Sequence, residues 1–222
     1  MNNRTAAAFA FVFLFSAGIF AQTISLNQEH LEAIGVNMSH VMLDGKRSVQ
    51  AVKNDAVKEV DEPTFVRCKD VFFKDGTIEV NVLSKLRQDA PAFARGFIGV
   101  AFHINENNSK FECIYIRPTN GRSDDQVRRN HSIQYFAYPD YKFSRLRKEF
   151  PEKYESYADM GLNEWIKIKI VVRGQEARLY LNDAKQPSLV VTDLRLGNSP
   201  GGIGLFVDVG TEGYFSDVKI SN

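Results

Sequence analysis

The chain has 222 residues, with 28 Lys and Arg against 27 Asp and Glu. Charge this evenly balanced leaves no electrostatic footprint for nucleic acid or an anionic lipid surface. The two cysteines, Cys68 and Cys113, exclude a small scaffold held together by dense disulfides.

Residues 1–21 carry the order of a secretory signal: a basic Arg4, an apolar run over 6–15, then small residues ending at Ala21 before Gln22. The run is shorter than the roughly 20 residues that cross a bilayer, so the expectation is cleavage after Ala21, a secreted or periplasmic product and no transmembrane segment. Cleavage would remove Arg4 and no acid, leaving 27 basic and 27 acidic residues. Residues 22–222 then form a single domain, in which 22–40 (Leu26, His30, Leu31, Ile34) read as a short helical or flexible lead-in.

Beyond residue 40 the pattern is β. Strands are predicted over 41–43, 48–52, 64–68, 76–83, 96–104, 111–117, 132–137, 165–173, 177–181, 188–192, 202–207 and 214–220. They are rich in Val, Ile, Phe and Tyr and are bounded by turn pairs such as Asp44-Gly45, Asp75-Gly76 and Glu212-Gly213. Many short strands at this spacing indicate an all-β sandwich, not alternating βαβ units. Alternation is clear in Ile166-Lys-Ile-Lys-Ile170, which buries one face and wets the other. The long, charged connection over 139–163 carries Phe143, Leu146, Phe150 and Tyr154 on one side of a helix broken at Pro151. Such a connection is either a functional loop or a solvated excursion pinned by its aromatics. Trp165, the chain's one indole, is expected to be largely buried. Cys68 and Cys113 lie on strands with no hairpin relation and are expected to be unbridged.

Several segments together resemble the concanavalin A-like lectin/glucanase superfamily. They are Phe73-Lys-Asp-Gly-Thr-Ile-Glu-Val-Asn-Val82, Gly96-Phe-Ile-Gly-Val-Ala-Phe-His103, Tyr115-Ile-Arg-Pro118, Gln134-Tyr135, Asn163-Glu-Trp-Ile166, Gly202-Ile-Gly-Leu205 and Tyr214-Phe-Ser-Asp-Val-Lys219. Within that superfamily the chain is similar to laminin-G-like and DUF1080-like (3-keto-disaccharide hydrolase-related) secreted domains. The resemblance runs from about residue 64 to 221. It implies a two-sheet antiparallel jelly-roll sandwich with a carbohydrate site on a concave sheet face.

Strand parity nominates the residues of that site. Pairing 96–104 with 111–117 apolar to apolar puts Ile98, Val100 and Phe102 beside Ile114 and Ile116. The opposite face then carries Gly99 and Ala101 next to Cys113, Tyr115 and Arg117, with His103 nearby. Small residues beside Tyr and Arg suggest room for a sugar. Tyr115 would be the stacking platform and Arg117 the paired donor, with Glu79, Asn81, His103, Gln134 and Tyr135 as polar lining. Arg117 would then be accessible and loosely paired; the alternative is a buried Arg117 held by a carboxylate.

Catalysis is less well supported. Superfamily glucanases carry Glu-x-Asp-x-Glu on one strand, whereas Glu79-Val-Asn-Val-Leu83 keeps only the first acid. A retaining glycosidase needs two carboxyls about 5 Å apart. Glu79 and His103 are the acid/base candidates, without a nameable partner. No metal-ligand spacing, nucleophile elbow or phosphate loop is present, so no cofactor is expected. The polar loop 124–131 is a candidate rim for a sugar site or a solvated turn, and its Asp124 and Asp125 are the sole calcium candidates. The leading expectation is a non-catalytic glycan-binding sandwich. The alternatives are a glycoside-cleaving enzyme and a structural or interaction module.

Overall fold

A computed structural model describes residues 21–221; the signal segment predicted over 1–21 thus lies, apart from Ala21, outside the described residues. The strands are β1 (Ala21–Thr23), β2 (Leu31–Ile34), β3 (Val36–Leu43), β4 (Lys46–Lys53), β5 (Phe65–Phe73), β6 (Gly76–Leu86), β7 (Ile98–Ile104) and β8 (Phe111–Ile116). They continue with β9 (Ile133–Tyr138), β10 (Glu155–Ser156), β11 (Ile166–Arg173), β12 (Glu176–Leu181), β13 (Leu189–Val191), β14 (Gly201–Val207) and β15 (Thr211–Ser221). Short helices α1 (Pro118–Gly121), α2 (Gln126–Asn130) and α3 (Phe143–Glu149) lie between β8 and β10.

The strands form two antiparallel sheets. The first runs β13-β12-β11-β6-β15-β4-β3, with β1 also paired to β15; the second runs β10-β9-β8-β7-β14-β5-β2. The chain is therefore an all-β sandwich, as the strand pattern implies, with the two-sheet jelly-roll architecture that the resemblance implies. Facing layers bury Ile78, Val80, Val82, Ile166, Ile168 and Ile170 from the first sheet. The second contributes Ile98, Val100, Ile114, Ile116, Leu205 and Val207. Each such side chain contributes roughly 1.5–3 kcal/mol on leaving water. The layers meet closely at Gly213, where a Cβ would stand 2.4 Å from Val207 Cγ1.

The other face of the second sheet is not left to solvent. Phe65, Phe111, Phe136 and Phe206 lie on it, fully buried, together with Tyr115. Their rings meet edge-on or tilted at 5.3–5.8 Å, the spacing aromatic pairs favour. The 139–163 connection folds over this face: Leu146 of α3 is buried, and Phe143 lies 5.6 Å from the Arg117 guanidinium. The helix broken near Pro151 is thus present as α3, and a short edge strand, β10, follows it.

One expectation is corrected. Residues 22–40 are neither helical nor a free lead-in; apart from a 3-10 turn at Gln28–His30 they supply strands to both sheets, because Leu31 and Val36 find buried places against β5 and β4. Trp165 is covered over most of its surface, as expected, but is half-buried rather than sealed. It precedes β11 with the opposite parity to inward Ile166, and its indole N–H donates to Asp44 Oδ2 at 3.1 Å while Lys46 lies over the ring.

Candidate functional site

Parity places Tyr115, Arg117 and Gln134 together. Tyr115 lies opposite Gly99 on β7 and Gln134 on β9. Arg117 Nη2 donates to Tyr115 Oη at 2.8 Å and to Gln134 Oε1 at 3.1 Å. Nη1 donates to the His131 carbonyl at 3.1 Å and to Glu155 Oε1 at 3.2 Å. Arg117 is only 4% exposed. The expectation of an accessible, loosely paired Arg117 is therefore corrected to the alternative, a buried guanidinium held by a carboxylate. Glu155 comes from β10, which the excursion lays beside β9 opposite Gln134. Burial pushes the Glu155 carboxyl up, but Arg147, Arg117 and His131 outweigh it and hold the group below the usual carboxylate range. Gln134 is fully buried, with its amide donating to the carbonyls of Tyr135 and Tyr154.

The other nominated residues separate. A Cβ on Gly99 would lie 2.2 Å from the Ile114 carbonyl oxygen and 2.5 Å from Tyr115 Cα, so this small residue admits backbone, not ligand. The Tyr115 ring packs against Phe97, Phe136 and Phe206 at 5.6–5.9 Å and is not an open platform. His103 sits at a left-handed φ of +55° where β7 and β14 shift register. Its Nε2 donates to the Lys74 carbonyl at 2.8 Å, and burial holds its pKa below the usual imidazole value. Tyr135 points to the opposite face, where its hydroxyl donates to Glu112 and accepts from the Arg195 backbone N–H. Glu79 and Asn81 stand on the outer face of the first sheet, because Ile78, Val80 and Val82 turn inward from the same strand. There Glu79 meets Lys167 at 3.3 Å and Asn81 donates to Asp217 at 2.7 Å.

Tyr115 and Arg117 do border a cleft of about 520 Å³, open to solvent at the end of the second sheet. Its lining includes Phe97 and Tyr115, Asp61 and Asp208, and Phe143 and Arg147 of α3. Arg95, Asn120, Arg128 and His131 supply polar lining. Phe93 and Val127 stand at its edge, 57% and 65% exposed. Asp125 caps α2, accepting from the backbone N–H groups of Val127 and Arg128 at 2.9 and 3.2 Å; the calcium candidate is thereby used in helix capping. Among the described residues no cluster of three or more His, Cys, Asp or Glu side chains is placed to hold a metal ion.

Asp61 is the cleft's most perturbed acid. It adopts a left-handed φ of +53° and is 1% exposed. Its carboxylate accepts the Phe143 N–H at 2.7 Å, so it pins the start of α3 to the sheet. Its own N–H donates to Asp208 Oδ2 at 2.9 Å, and Asp208 Oδ1 takes Lys53 Nζ at 2.6 Å. Burial, reinforced by the neighbouring Asp208 charge, pushes the Asp61 carboxyl up to about 7. A carboxyl in that range can hold or release a proton near neutrality. Asp61, Asp208 and Arg95 carry no signal in the sequence, since separate connections supply them and no spacing links them; Arg128 stands in the polar loop 124–131, the candidate rim.

No family model and no curated protein matches the chain. Solved structures do. A carbohydrate-binding module of family 66 from Bacillus subtilis is 13% identical, covering 85% of this chain and 97% of its own, with a TM-score of 0.53. A candidate glycosyl hydrolase from Parabacteroides distasonis is 16% identical over 90% of this chain and 98% of its own, with a TM-score of 0.55. A Bacillus licheniformis β-glucanase is 12% identical over 93% of this chain and 99% of its own, with a TM-score of 0.51. At such low identity the likeness is one of architecture: this chain shares the jelly-roll sandwich of these proteins, and folds of this kind carry many functions.

Proposed function

We propose that the protein is a non-catalytic glycan-binding sandwich that acts outside the cytoplasm, secreted or periplasmic, and that the cleft at the end of the second sheet is its binding site. The observation that carries this reading is the cleft's composition. An exposed Phe93 and a half-buried Phe97 stand beside guanidinium groups and the Asn120 amide around a space of about 520 Å³. Aromatic faces stack on the apolar faces of sugar rings, and fixed planar donors read their oxygens. Extracellular action rests on the signal-like residues 1–21. The test is a glycan-array screen of the purified protein, followed by Phe93→Ala on any hit. Binding that falls at least tenfold, about 1.4 kcal/mol, with an unchanged melting temperature supports the reading. An array with no hit removes it.

One observation favours an enzyme as the second reading: Asp61, with its carboxyl near 7, borders the cleft beside Asp208. Hydrolysis of an array hit that is lost in Asp61→Asn would establish that activity. Undiminished hydrolysis in the variant would exclude Asp61 from it.

A further inference from the structure

The cleft holds more positive charge than its own acids match. Arg95, Arg117, Arg128 and Arg147 all line it. Glu155 serves Arg117 and Arg147 and also lies 3.0 Å from His131 Nδ1. Asp208 is engaged by Lys53. Burial raises the pKa of the Asp61 carboxyl, so it offers less negative charge than an ordinary carboxylate. Neither Arg95 nor Arg128 forms an ion pair with a carboxylate among the described residues. Arg95 donates only to its own loop, to the carbonyls of Ala92 and Ala94 at 2.8 Å. Arg128 reaches Asn120 Oδ1 at 3.5 Å, and its Nε is buried without a hydrogen-bond partner. The two guanidinium groups also repel each other. Burial, then the charges of Arg128 and Arg117, hold the Arg95 pKa below the usual guanidinium range.

Guanidinium groups are commonly gathered in this way around an anion, whose oxygens accept their forked donors pairwise. We propose that the cleft binds an acidic saccharide, whose carboxylate or sulfate oxygens bridge Arg95 and Arg128 while a sugar ring lies against Phe93 and Phe97. This rests on the glycan-binding reading and specifies its ligand class. A uronate and a sulfate ester present the same oxyanion chemistry, so both belong in the test. Neutral sugars would leave the two unpaired guanidinium groups uncompensated.

The test uses the purified protein against three probe sets: neutral gluco- and xylo-oligosaccharides, oligogalacturonates, and sulfated galacto-oligosaccharides. Binding is expected to the acidic sets, the stronger one identifying the anion as carboxylate or sulfate. It should weaken about tenfold as salt rises from about 0.05 to about 0.5 M, because the Debye length shortens from roughly 14 to roughly 4 Å. The double variant Arg95→Gln/Arg128→Gln should lose at least tenfold in affinity and keep its melting temperature, since neither side chain is held by an acid. If the double variant unfolds, each single variant is expected to lose part of the affinity. Binding confined to neutral sugars, or acidic binding untouched by these variants, would overturn the inference and leave glycan binding standing. Binding to none of the three sets would overturn the inference, and a glycan array without a hit would remove the glycan-binding reading with it.

Discussion

Arg117 Nη1 lies 3.2 Å from Glu155 Oε1, and both side chains are nearly sealed from solvent. The pair joins the end of β8 to β10, 38 residues further along the chain, and so fastens the long excursion to the sheet it covers. Glu155 keeps Arg147 if Arg117 is lost, but removing Glu155 leaves Arg117 charged and buried without a carboxylate. Glu155→Ala should therefore destabilise the protein by about 3–5 kcal/mol, measured by urea denaturation. A loss below about 1 kcal/mol, the range of exposed pairs, would mean that the pair is solvated.

Asp61 and Glu112 are both buried, and both carboxyls are pushed up to about 7. Below about pH 4 the folded and unfolded states both hold these protons. Between about pH 4 and 7 only the folded state does, so the unfolded state gains relative stability as pH rises through that window. Stability at pH 5 should exceed that at pH 8 by a few kcal/mol. Asp61→Asn should flatten the slope, while its amide oxygen can still accept the Phe143 N–H. Glu155 acts in the opposite direction: its contribution is lost as pH falls below the ordinary carboxylate range. Identical slopes in the wild type and Asp61→Asn would contradict the Asp61 assignment.

Gly99 is a packing requirement, because any Cβ there meets the backbone of β8. Gly99→Ala should cost about 1–3 kcal/mol or more through overpacking. A melting temperature equal to that of the wild type would show that the strands can separate at low cost.

Cys68 and Cys113 are free and buried, and they lie on opposite faces of the second sheet. Burial pushes the Cys68 thiol up to about 12 and raises Cys113 as well. A thiol reagent should titrate neither in the folded protein and both after denaturation. Prompt labelling of the folded protein would place a thiol at the surface.

Trp165, half-buried with its indole N–H on Asp44, should be accessible to an aqueous quencher. Trp165→Ala should cost roughly 1 kcal/mol, less than the roughly 3–5 kcal/mol of an enclosed indole. A blue-shifted emission resistant to quencher would restore the enclosed position.

The sandwich and the sidedness of its strands are legible in the sequence, because alternation is a local property. Ile166-Lys-Ile-Lys-Ile170 shows which face of β11 is dry, and the same parity puts Tyr115 and Arg117 on the face opposite Ile114 and Ile116. Parity does not reveal which strands share a sheet. Alternation is compatible with Glu79 and Asn81 on the Tyr115 face, yet β6 belongs to the other sheet. Nor does it reveal what covers a face. Tertiary structure decided that β8 closes against Gly99, that Phe206 and Phe136 pack on the Tyr115 ring, and that Glu155 claims Arg117. It also assembled the cleft from Asp61, Arg95 and Arg128, which stand on separate connections. Strands carry a period of two that exposes their burial before folding. Connections carry no period, so the partners of their side chains are decided only when the chain closes over the sheet.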